Sequence, residues 1–231
     1  DNYAEDPSLF IEWADGMDEA QRIIQGALAI ISESIYKDLV YNILTSHWAN
    51  FCVWTAASNL HHNMLGGLLV HTAEVIAQSE NIADFWEEKY GPGFINKPLL
   101  LSAALLHDIA KTTELKVDKF SGTTEYSTQA ALETHITMCI SLIEIEAYKL
   151  KLGYQTYTIN EINEQIPIKT QEVLDEEHEA VSLLKHLILA HHGMEWNGEE
   201  GSEVEWNGVE RSGVDWIGME CSGMECKGGE W

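Results

Sequence analysis

Residues 99–111, LLLSAALLHDIAK, decide the reading of both fold and chemistry. The run opens as one of the most apolar stretches of the chain and then places a histidine, an aspartate and a lysine in its last five positions. Continued as one helix, it puts Leu100, Ala104, His107, Asp108 and Lys111 on a single face. Such a stripe either reaches solvent at its end or uses burial to hold the three polar groups still. A His-Asp dipeptide alone is a weak signal, because so short a motif recurs by chance.

Outward from this run, apolar residues recur at helical spacing through residues 18–192. The helical stretches are EAQRIIQGALAIISE, YKDLVYNILTSHWANF, GLLVHTAEVIAQSENIADFWEEKYG, STQAALETHITMCISLIEIEAYKLKLG and EEHEAVSLLKHLILAHH. Gly91-Pro92-Gly93 is expected to end the third of these and Gly153 the fourth. Only TTEYS (123–127) and YQTYTI (154–159) read as short strands. The expected class is all-α, a helical bundle. EWADGMDE and DEEHE read as solvated acidic turns or faces, and TTELKVDKFSGTTEYS as a loop over the end of the apolar run.

The composition narrows the possibilities. No stretch approaches the ~20 apolar residues that span a bilayer, and the acidic start DNYAEDPSLF is no signal peptide, so no membrane association is expected. The chain begins at Asp1 rather than methionine, as a fragment would. Cys52, Cys139, Cys221 and Cys226 form no CxxC pair; the first two sit in apolar patterns, which suits core thiols and a cytoplasmic location. The net charge of −25 repels polyanions.

From Met194 the character changes to a five-residue repeat: MEWNG, VEWNG, VERSG, VDWIG, MECSG and MECKG. The period is too short for a solenoid. A DNA repeat GGAAT encodes Gly-Met-Glu-Trp-Asn, the peptide at Gly193–Asn197, and most later departures are single-base changes. Residues 194–231 are therefore expected to be a low-complexity, unstructured tail of translated simple-sequence DNA, beside a helical domain at 1–193.

All ten histidines lie between His47 and His192, and several interrupt apolar stripes. His71 lies in line with Leu68, Val75 and Ile82, and His135 among Leu132, Ile136, Cys139 and Ile143. His191 continues Val181, Leu184 and Ile188. One histidine on an apolar face is more often a satisfied core residue than a ligand. Four on four different helices, one with an aspartate beside it, point instead to a divalent transition metal, which favours neutral imidazole and carboxylate.

HHNMLGGLLVHT, LLHDIAK, ETHI and LILAHHG, in this order and spacing, resemble the HD-domain superfamily of metal-dependent phosphohydrolases. The nearest branch is that of the YhaM-like 3′→5′ exoribonucleases, and the resemblance covers about residues 20–193. It implies His71, His107 and Asp108 as metal ligands, with His135 and His191 or His192 holding a second metal or touching phosphate. It implies Asp108 and Lys111 as catalytic residues, Lys111 also facing the phosphate. The alternative for the lysine is a helix C-terminal cation favoured by the macrodipole, and the two readings are compatible. His61 and His62 match a histidine pair near the substrate; the alternative is an exposed loop before Gly66-Gly67. Glu114 follows the lysine as a glutamate commonly does in the family, with at most a supporting role. The cofactor implied is a divalent metal ion (Mn, Fe, Co, Ni or Mg), and the partner a nucleotide or RNA 3′ end attacked by a metal-activated water.

Three departures qualify the resemblance. Ala110 stands where the family usually has glycine, and only a short acidic segment occupies the place of an RNA-guiding OB-fold. A last aspartate ligand is expected beyond HHG, yet the tail holds only Asp215, whose surroundings predict no helix. Residues 1–193 carry 11 Lys+Arg and 28 Asp+Glu, a balance of −17, which favours a small nucleotide or RNA presented by another module. The competing reading is a catalytically impaired HD domain acting as a metal- or nucleotide-binding regulatory module. A third is a bundle whose histidines are merely structural.

Overall fold

A computed structural model describes residues 12–57, 62–118, 122–160 and 164–191. The described chain is all-α, as expected. Its helices are α1 (Met17–Ile31), α2 (Lys37–Phe51), α3 (Gly67–Tyr90), α4 (Lys97–Leu106), the single turn α5 (Lys111–Glu114), α6 (His135–Leu150) and α7 (Gln171–Ala190). Two antiparallel hairpins interrupt them: β1 (Leu115–Val117) with β2 (Thr124–Tyr126), and β3 (Tyr157–Ile159) with β4 (Gln165–Pro167). The tail from Met194 lies outside the described residues, as do His61 and His192. Among the described residues no helix is long and apolar enough to cross a membrane.

The apolar run forms the axis of the bundle. Asn96 caps α4 by accepting a hydrogen bond from Leu99 N at 3.1 Å, and Pro98 suits the first turn, where a missing N–H costs nothing. From Leu100 to Ala110 every residue is buried. A helix apolar on all sides must be enclosed, and α4 packs against α1, α3 and α7. Leu101, Leu105 and Leu106 are fully buried, each contributing about 1.5–3 kcal/mol of transfer free energy. Cys139 is a buried core thiol, as expected, while Cys52 is only partly covered.

Two helical expectations are corrected. The helix of residues 99–111 is not continuous. It ends at Leu106, and tight turns follow in which Ile109 N donates to Leu106 O (3.1 Å) and Lys111 N to Asp108 O (2.9 Å). His107 and Asp108 thus sit at a helix end, and Lys111 opens α5 rather than closing α4. The reading of Lys111 as a helix C-terminal lysine loses its basis. The second correction concerns residues 127–134, which form a short 3₁₀ turn at Gln129–Ala131; α6 begins only at His135, capped by Thr134. Leu132 is 85% exposed, so it forms no apolar stripe with His135. Lys151, with φ 59°, ends α6 ahead of Gly153.

The segment read as a loop after Lys111 carries the β1–β2 hairpin, with Leu115 opposite Tyr126. The loop before α3 is fixed by backbone contacts: Ala56 N donates to His62 O (2.9 Å) and Leu68 N to Trp54 O (3.0 Å). The approach is so close that a Cβ on Gly67 would lie 2.1 Å from His62 O. Glycine is required at 67 for this reason, and the packing draws His62 against the first turns of α3.

Candidate metal centre

The ends of four elements deliver titratable side chains to one point. His71 projects from the first turns of α3, His107 and Asp108 follow α4, His135 is the first residue of α6, and His191 caps the C-terminus of α7. Asp108 lies at the centre and is 2% exposed. Its Oδ2 is 3.2 Å from His71 Nε2, 3.2 Å from His107 Nε2 and 2.8 Å from Lys111 Nζ. Its Oδ1 is 3.4 Å from His135 Nε2. His71 Nε2 and His107 Nε2 are 3.3 Å apart. The rings of His107 and His191 are 5.3 Å apart edge-on, and those of His135 and His191 6.0 Å.

The far sides of three of the rings are tied down. His107 Nδ1 donates to Ala104 O at 2.8 Å, and His191 Nδ1 donates in the same way to Ile188 O, each three residues back along its helix. Carbonyl oxygens only accept, so both imidazoles carry a proton on Nδ1, and Nε2 is the nitrogen that faces the cluster. Glu114 does for His135 what those carbonyls do for the other two. Its carboxylate lies 3.1 Å from His135 Nδ1 and accepts from the His135 backbone N–H at 3.0 Å. This arrangement, in which the outer nitrogen is held so that the inner one faces a cation, typifies histidine ligands.

Electrostatics concentrates negative charge at the same point. Burial by itself would raise the Asp108 carboxyl, but the charge and hydrogen bond of His107, the hydrogen bond from His71 and the charge of Lys111 hold it well below the usual carboxylate range. Asp108 is therefore an anion. Burial likewise works against the Glu114 carboxylate and is outweighed by its contacts with His135, which hold it low as well.

The donor set fits a divalent cation. Among the described residues Asp108 Oδ1 is buried without a hydrogen bond, since the 3.4 Å approach of His135 Nε2 lacks the geometry for one. An anionic oxygen in that state is costly unless a cation serves it. Two trios of donor atoms, His71–His107–Asp108 and Asp108–His135–His191, each lie within 4.8 Å and could hold a metal ion, sharing the carboxylate. The C-termini of α4 and α7 add partial negative charge.

The structure brings together His71, His107, Asp108, Lys111, His135 and His191. His62 lies at the edge, its ring 5.5 Å from His71 and its Nε2 3.0 Å from Glu74 Oε2; it is part-covered rather than fully exposed. His61, His192 and Asp215 lie outside the described residues. The role of Glu114 was underestimated in the sequence: its only signal was its position three residues after Lys111, whereas in space it fixes His135 twice over.

Among curated proteins, the chain is 28% identical over 157 residues to the 3′-5′ exoribonuclease YhaM of Bacillus subtilis (strain 168). The matched region spans 67% of this chain and 39% of that relative, so the chain covers well under half of its length. No protein-family model and no solved structure matches the chain. The sequence carrying this constellation is thus similar to an exoribonuclease over most of its own length.

Proposed function

We propose that this chain is a metal-dependent phosphohydrolase or phosphodiesterase of the HD type, acting on nucleotides or RNA 3′ ends. The observation that carries the reading is the convergence of two donor trios on the buried Asp108 carboxyl group. The similarity to a protein named as a 3′-5′ exoribonuclease supports the substrate class. His71, His107, Asp108, His135 and His191 are the proposed ligands, with His192 a further candidate from the sequence.

A divalent metal in such a site lowers the pKa of a water to near 7 and neutralises charge on phosphoryl oxygens. The chain's own residues do the rest. Asp108 supplies the anionic charge that the imidazoles lack. Ala104 O, Ile188 O and Glu114 keep three rings aimed inward, so that little reorganisation is needed at the moment of reaction. Lys111, held at 2.8 Å by Asp108, places an ammonium beside the point where phosphoryl charge would grow. His61 and His62 are proposed on the substrate side.

One observation favours the alternative of an impaired, metal- or nucleotide-binding regulatory domain. Asp108 Oδ2 already takes Lys111, His71 and His107, so a cation competes there with an ammonium. The experiment that separates the two readings is Mn²⁺-dependent release of nucleotides from a 5′-labelled oligoribonucleotide, run beside a His107→Ala, Asp108→Ala double variant. Turnover lost in the variant supports the enzyme. Equal rates in both proteins remove it.

A further inference from the structure

A cavity of about 270 Å³ opens beside the cluster, and Lys111, Glu114 and His135 line it together with Ala56, Leu115, Tyr126 and Ile136. We propose that it is a nucleobase subsite with Tyr126 as its stacking face, one that accepts any base; this rests on the phosphohydrolase reading above. Lys111 and His135 touch both the cavity and Asp108, at 2.8 and 3.4 Å from the carboxylate. A phosphate placed between them has its nucleoside inside the cavity.

The hairpin explains the stacking face. Tyr126 stands opposite Leu115 across the β1–β2 pair, and opposed residues project to the same side of a sheet. Leu115 is 3% exposed, whereas the tyrosine above it is 63% exposed. The fold thus leaves an exposed aromatic residue on the lining of the cavity, beside the buried Leu115. An aromatic plane there suits a base, because every base offers a π-face and one stack supplies about 1–3 kcal/mol.

The remaining walls explain the tolerance. The side chains of Ala56, Ala57 and Ile136 have no hydrogen-bonding atoms to read a base edge. Glu114 is committed to His135, and the Thr134 hydroxyl to the cap of α6. At about 270 Å³ the space falls below the roughly 300–1,000 Å³ of pockets for drug-sized ligands, so it takes one base and not a paired strand. Stacking also needs no basic groove, which suits a chain of net charge −25.

The test uses the full chain with chelator present, so that its first readout is independent of activity. Quenching of 2-aminopurine riboside 5′-monophosphate fluorescence is titrated for wild type, Tyr126→Ala and Tyr126→Trp. The expected result is affinity weakened about tenfold by alanine and restored by tryptophan, with unchanged thermal unfolding. Unlabelled AMP, GMP, CMP and UMP are expected to compete within about fivefold of one another. In the Mn²⁺-dependent oligoribonucleotide assay, Tyr126→Ala raises KM more than it lowers kcat. Quenching unchanged in Tyr126→Ala overturns the subsite even if wild type hydrolyses RNA. Tyr126-dependent quenching without any hydrolysis keeps the subsite and removes the enzymatic reading. A preference of more than about a hundredfold for one base overturns the tolerance.

Discussion

Glu114 grips His135 at two points, the backbone N–H at 3.0 Å and the ring Nδ1 at 3.1 Å, and so fixes both the start of α6 and the direction of its imidazole. Glu114→Gln keeps the shape but removes the charge that favours the inward-facing tautomer. The expected outcome is a loss of about 10–100-fold in Mn²⁺ affinity, with far-UV circular dichroism unchanged. Calorimetric titration of Mn²⁺ into both proteins checks it. Equal affinities would mean that His135 is oriented by something else.

The close pass of His62 O over Gly67 predicts a stability effect. Gly67→Ala places a methyl against a backbone carbonyl, which has no rotamer by which to yield. Overpacking of this kind costs about 1–3 kcal/mol. The midpoint of urea unfolding should fall accordingly, while alanine at the open, exposed Gly26 in α1 should raise it slightly by better helix propensity. A Gly67→Ala midpoint equal to wild type would contradict the backbone contact.

Much of this arrangement was legible in the sequence, and the failures have identifiable causes. The helical periods of α1, α2, α3 and α7 were clear because each buries one stripe, for example Ala20, Ile24, Ala27 and Ile31 in α1. His71, His107 and His191 could be found because each interrupts or ends such a stripe. The break after Leu106 could not. Ile109 and Ala110 are compatible with helix, and the turn carries Asp108 to partners distant in the chain, among them His71 and His135. Strand β1 escaped because three residues, LKV, show no period; strands β2 and β3 were foreseen within TTEYS and YQTYTI. That Tyr126 lines the cavity beside Leu115 depends on the register of the two strands, which local sequence does not encode.

The buried acids that stay protonated predict how stability responds to base. Burial, with a smaller push from the charge of Glu179, raises the Tyr36 phenol from 10.0 to about 12. Burial raises the Cys52 thiol from 9.0 to about 11, and burial together with the Asp108 charge raises Cys139 as well. In each case the folded state binds the proton more tightly than the unfolded chain. The stability they add is present in full below about pH 9 and is lost as pH rises through 9 to 12. The urea midpoint should therefore fall steadily between pH 8.5 and 11, less steeply in a Tyr36→Phe, Cys52→Ala variant. A midpoint that stays level across this range would contradict the burial of these groups.

The central claim is that four imidazoles and one carboxylate form a cation site around Asp108. Electron paramagnetic resonance of Mn²⁺ added to the chelator-treated full chain tests it most directly, because the six-line signal of free Mn²⁺ is lost on binding. The account predicts saturable binding in wild type that disappears in Asp108→Asn while the helical circular dichroism signal persists. Binding that is absent in wild type, or unchanged in Asp108→Asn, would contradict it.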